Sequence, residues 1–84
     1  MSYRIVIPKP AQKQLDNITK IERDRAITAV RSLTNEPRPT GVKKLKGYDE
    51  TYRIRFGDYC VIYKVQDKEL IILLLSVSHR KDAY

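Results

Sequence analysis

A chain of 84 residues has room for one domain, 1–84, and one modest core, and at 42% hydrophobic and 32% charged it is too apolar to be disordered. A single Cys excludes an internal disulfide and a Cys-rich metal site. The apolar run Leu70 to Leu75 falls far short of the ~20 residues of a spanning helix, and the opening MSYRIVIPK lacks a signal peptide's apolar stretch, so a soluble protein of the reducing cytoplasm is expected, with no membrane association.

Seventeen Lys and Arg against ten Asp and Glu leave a net charge of +7. A positive field of that size on so small a domain draws nucleic acid, an anionic membrane or an acidic protein as partner. Ser2 to Ile7 (SYRIVI) alternates, is β-branched and meets Pro8 and Pro10, which end it: a first strand, at or beside a sheet edge. From Pro10 to about Asn17, Ala11, Leu15 and Ile18 recur at i, i+4 and i+7 among Lys and Gln, the pattern of a short amphipathic helix. Thr19-Lys20-Ile21-Glu22 matches a capping box and opens a second helix to about Leu33, with Ile21, Ala26, Ile27, Val30 and Leu33 as its apolar stripe. So tight a corner makes the two a helical hairpin. Asn35-Glu36-Pro37-Arg38-Pro39 cannot continue it.

The stretch from Glu36 to Gly47 reads as a loop. Its Lys43, Lys44 and Lys46, around Leu45, form either a solvated connection with Leu45 tucked under the sheet or a rim that contacts phosphate. Tyr52 to Lys64 (YRIRFGDYCVIYK) then carries the hairpin signature, Gly57-Asp58 between two runs of Tyr, Ile, Val and Phe. A two-residue loop there pairs Phe56 with Tyr59, Arg55 with Cys60, Ile54 with Val61, Arg53 with Ile62 and Tyr52 with Tyr63. Alternation sorts these into an apolar side and a side bearing Arg53, Arg55, Cys60, Ile62 and Lys64. Asp67-Lys68 makes another turn, and Leu70 to Ser78 (LIILLLSVS) is apolar enough to predict a central strand covered on both faces. The expected fold is α+β: a first strand, a helical hairpin and a three-stranded antiparallel meander, giving a four-stranded sheet with both helices on its aromatic face. Arg53 and Arg55 face outward.

No Gly-rich phosphate loop, no paired Cys or His at ligand spacing and no nucleophile elbow is present, so neither metal nor cofactor is expected. Arg53 and Arg55, at i and i+2, project from one side about 7 Å apart, a span that brackets one phosphodiester with planar donor forks. RNA carries its own nucleophile in the 2′-hydroxyl, so an enzyme cleaves it by aligning the nucleotide and stabilising charge on the phosphoryl oxygens. The plainer readings are the wet side of a half-exposed strand for the arginines, a strand-end residue for His79, and a frayed terminus rather than a base-stacking platform for Tyr84. Cys60 reads as a small half-buried strand residue.

The series KKLKG, YRIR-x-GDY-x-VIY and V-x-HRK-x-x-Y, with YRIVIPKPAQKQLDNI and AVRSLTNEPRP before it, resembles the RelE/ParE superfamily of bacterial toxins, and its RelE branch in particular, over nearly the whole chain. The resemblance implies a type II toxin that enters the ribosomal A site and cuts mRNA by 2′-hydroxyl attack, held inactive in a hetero-oligomer with a small antitoxin bearing an acidic or amphipathic segment. It also implies that Arg53 and Arg55 hold phosphate and stabilise the transition state, that Arg80 joins them from the last strand, and that Tyr84 stacks on a base. His79 is the neighbouring candidate for proton transfer, and Lys43, Lys44 and Lys46 would face RNA. The chain departs from the pattern at Cys60, where sequences of this type commonly carry Arg, and so is expected to be attenuated or inactive. Arginine is no usable base, which leaves His79 or a loop Lys for that task. A two-residue turn at Asp67-Lys68 sets His79 on the Arg55 side and Arg80 on the other unless a bulge intervenes. Two alternatives remain: a ParE-like inhibitor of DNA gyrase and a non-catalytic RNA or ribosome binder.

Overall fold

The computed structural model describes residues 2–79. Its organising unit is a hairpin of β3 (Thr51–Phe56) and β4 (Tyr59–Gln66). The chain reverses at Gly57, whose φ of +54° lies where a side chain would be strained. All five expected pairs form, and Thr51 opposite Lys64 adds a sixth. Tyr52, Phe56, Val61, Tyr63 and Val65 thereby share one face and are buried.

Against that face pack α1 (Lys9–Asp16) and α2 (Lys20–Ser32), which contribute Ala11, Leu15, Ala26 and Val30 to the core, with Leu33 at the α2 C-cap. The Thr19 hydroxyl accepts the Glu22 N–H at 3.3 Å, half of the expected capping box. Arg23 donates from Nε to the Leu15 carbonyl at 3.1 Å and from Nη2 to those of Asp16 and Ile18, satisfying the end of α1 and fixing the hairpin corner. Ile21, expected in the buried stripe, is instead 67% exposed, because the inward face of α2 runs through Glu22, Ala26 and Val30 and Ile21 lies to one side of it.

Among the described residues the sheet has five strands, not four, in the order β1-β5-β4-β3-β2. The added strand, β2 (Lys43–Lys44), is two residues long and pairs antiparallel with β3; no apolar alternation announces so short a charged piece. β1 (Arg4–Val6) is an edge strand, parallel to β5 (Ile71–His79) through Arg4–Ile71, Ile5–Ile72 and Val6–Leu73. Past Leu73 the outer edge of β5 has lost β1, and the Gln14 side chain accepts the Val77 N–H at 2.7 Å in place of a strand.

β5 is covered on one face only. Ile72, Leu74 and Val77 are buried, Ile71 and Leu73 half-buried and Leu75 43% exposed, so its continuous apolar run does not reflect a strand sandwiched between two layers. The β4–β5 connection occupies residues 67–70 rather than two, which preserves side-chain parity. A bulge at Leu75 then reverses it: Tyr63 pairs with Leu74, but Ile62 pairs with Ser76. From that point Val77 and His79 turn to the helix side.

Candidate functional site

The open face of the sheet is built by β2, β3 and β4. Arg53 and Arg55 alternate with the core-facing Tyr52, Ile54 and Phe56, so both leave the sheet on the side away from the helices. The pairing of β2 sets Lys43 directly opposite Arg53 on that side. Gly41, with φ of +93°, turns the chain into β2. Gly41, Lys43, Arg53 and Arg55 together line a hollow of about 160 Å³, room for a phosphate-sized group among three cationic side chains.

Cys60 lies opposite Arg55 on one side and Ser78 on the other, and is fully buried rather than half-buried. Further along the same face, Leu45, Tyr48, Thr51, Ile62, Leu75 and Ser76 line an apolar depression of about 260 Å³. Leu45 is thus half-buried on the open face, its N–H donating to the Thr51 carbonyl at 2.9 Å. Arg53 of the hollow pairs across the strands with Ile62 of this depression, so the two are neighbours on the sheet.

The remaining predicted residues are spread more widely. Lys44 pairs with Tyr52 on the helix side, and its Nζ lies 3.9 Å from Glu50 Oε1. Lys46 is exposed in the loop after β2, and with Lys44 and Tyr48 it lines a surface depression that does not include Arg53 or Arg55. His79 stands not with Arg55 but on the opposite face, paired with Tyr59, the two rings edge to face at 5.2 Å, in a groove with Gln14, Asn17 and Ile18. The bulge at Leu75 is the cause. Arg80 and Tyr84 lie outside the described residues. Among the described residues no three His, Cys, Asp or Glu side chains are grouped to hold a metal ion.

Sequence reasoning missed a cluster beside the site. Arg38 donates from Nη2 to Glu50 Oε2 at 2.7 Å and to Asp67 Oδ2 at 2.8 Å, and from Nε to the Tyr52 hydroxyl at 2.8 Å. The Tyr52 hydroxyl donates in turn to Glu50 at 2.9 Å, and the Tyr3 hydroxyl to Asp67 Oδ1 at 2.6 Å. The Arg38 guanidinium also lies over the Tyr52 ring, 5.3 Å from its centre. Hydrogen bonding to Asp67, then to Glu50 and Tyr52, holds Arg38 above the ordinary guanidinium value. The same bonds hold both carboxyls below theirs, with Tyr52 adding to the effect on Glu50 and Tyr3 to that on Asp67. An Arg bracketed by Pro37 and Pro39 was the available signal, but its partners are distant in sequence.

The chain is thus a small α+β domain with an outward-facing cationic hollow on its sheet, and comparison with known proteins gives its family. The family model described as the ParE toxin of the type II toxin-antitoxin system, parDE, matches residues 5–84. A curated protein of Methanocaldococcus jannaschii carrying the name toxin RelE1 is 31% identical over 87 residues, spanning 100% of this chain and 97% of that protein. The crystal structure of the archaeal RelE-RelB complex from Pyrococcus horikoshii contains a chain 36% identical to this one, with a TM-score of 0.84 over 95% of this chain and 97% of that one. A chain of the intact E. coli RelBE toxin-antitoxin complex has the same fold at 21% identity, with a TM-score of 0.83 over 93% and 96% of the two chains. The chain belongs to the RelE/ParE superfamily of type II toxins, in its RelE branch.

Proposed function

We propose that this toxin acts as a ribosome-dependent endoribonuclease that cuts mRNA by attack of the 2′-hydroxyl on the adjacent phosphodiester. The observation that carries the reading is the convergence of Lys43, Arg53 and Arg55 on one outward hollow of the sheet. There the guanidinium forks of Arg53 and Arg55 clamp the non-bridging oxygens and stabilise the charge that accumulates in the transition state. Lys43, which lines the hollow across from Arg53, serves proton transfer, since His79 stands beyond the thickness of the sheet. Arg80 and Tyr84 complete the set as basic contact and base-stacking platform. The partner that restrains it is an antitoxin, as in the RelE-RelB complexes of its relatives. An acidic amphipathic segment would meet both the cations and the apolar strip around Ile62 and Leu75.

One observation favours a second reading, a non-catalytic message binder: the position beside Arg55 where such toxins commonly hold Arg is here the buried Cys60. Primer extension on mRNA in a translating extract separates the readings. Cuts at codon positions that disappear with Arg53→Ala and Arg55→Ala support the nuclease; bound but uncut message supports the binder. Gyrase-linked DNA breaks in place of either would overturn both.

A further inference from the structure

Residues 38–50 form a loop whose two ends meet: Arg38 at its start and Glu50 at its end are joined at 2.7 Å, and Arg38 is also fastened to Asp67 in the β4–β5 turn at 2.8 Å. Within the loop lies β2, and β2 is held to the sheet by two residue pairs and the Leu45–Thr51 bond. A two-residue edge strand is marginal by itself, so its position depends on how the loop's neck is closed. The neck also holds strain. Glu50 has φ of +45°, unfavourable for a residue with a side chain, and is kept there by its carbonyl accepting the Val65 N–H at 2.9 Å and its carboxylate accepting from Arg38 and Tyr52.

We infer that the Arg38–Glu50–Asp67 clasp positions Lys43 in the cationic hollow, so that these three residues, none of which lines it, set the toxin's grip on RNA phosphate. The inference rests on the reading of that hollow as an RNA site. It makes Arg38, Glu50 and Asp67 positioning residues, and it yields an outcome opposite in sign to simple electrostatics. Tyr3, Lys44 and Tyr52 are the other titratable groups facing the clasp. Removing the two carboxylates raises the net charge of +7 by two, which by long-range attraction alone would tighten binding to any polyanion.

The test is binding of a fluorescein-labelled single-stranded 2′-O-methyl oligoribonucleotide, which lacks the internal nucleophile, at 0.1 M salt. The double variant Glu50→Gln/Asp67→Asn is expected to bind about fivefold more weakly, the counterion-release value of one lost phosphate contact on a single strand. Lys43→Ala is expected to cost the same factor in the otherwise unchanged protein and nothing further in the double variant, because the contact is already lost. Arg38→Lys keeps the charge but cannot bond Glu50, Asp67 and Tyr52 together, and should reproduce the loss with an unchanged circular dichroism spectrum. Tighter or equal binding by the carboxylate variant, or a full fivefold effect of Lys43→Ala in its background, would overturn the inference. Binding that ignores Arg53→Ala and Arg55→Ala would instead remove the RNA site itself, a separable result.

Discussion

At the scale of single residues, the cationic hollow needs side chains that remain charged and directed outward, and β3 supplies them by alternation with Tyr52, Ile54 and Phe56. Cys60 bears on how well it works. Cys60→Arg should raise mRNA cleavage by ~100- to 1,000-fold, the usual value of one preorganised transition-state contact. The position is fully buried, so the longer side chain has to thread past Arg55 and Ser78, and a stability loss of ~1–3 kcal/mol should accompany the gain. Cleavage in extract and a urea melt check the two halves; no gain in rate would mean that Cys60 is not what limits this chain. The clasp carries a pH signature. Glu50 and Asp67 are held below their ordinary values by Arg38, so their contribution to stability is complete above those values and is lost as pH falls through the lower folded ones. The thermal midpoint should therefore drop on acidification below about pH 4, and less steeply in Glu50→Gln/Asp67→Asn.

At the scale of elements, what was legible in the sequence followed from local chemistry. Gly57-Asp58 fixed the register of β3 on β4 to the residue, and with it the side on which Arg53 and Arg55 emerge. Gly57→Ala should cost ~1–2 kcal/mol at φ of +54°; the cost is in the backbone, since an added Cβ would meet Glu22 and Arg25 only at ordinary contact distance. A denaturant midpoint unchanged by this substitution would count against the turn. What was not legible depended on distant partners. The bulge at Leu75 sits in LIILLLSVS, where every residue suits either face, so nothing local fixed the parity that carries His79 away from Arg55. β2 was hidden because two lysines have no strand pattern; only pairing with β3 makes them one. The exposed face of β5 was missed for the same reason, an apolar run being silent about what covers it.

At the scale of the molecule, the two layers divide the labour. The helices and the aromatic face of the sheet make the core, and no described helix packs on the other face. Family membership, the fold shared with RelE chains and the net charge of +7 all fit an anionic partner for that face. The location of the charge is what distinguishes a site from a generally basic surface. Reversing two charges on the open face, Arg53→Glu/Arg55→Glu, and two exposed on the helices, Lys13→Glu/Lys20→Glu, changes the net charge equally and the site unequally. Measured as mRNA cleavage in a translating extract, the open-face variant should lose activity by at least ~100-fold, while the helix variant stays within a few-fold of the original protein. Equal losses in the two variants would contradict the account, because the charge would then act by its amount and not by its place on the sheet.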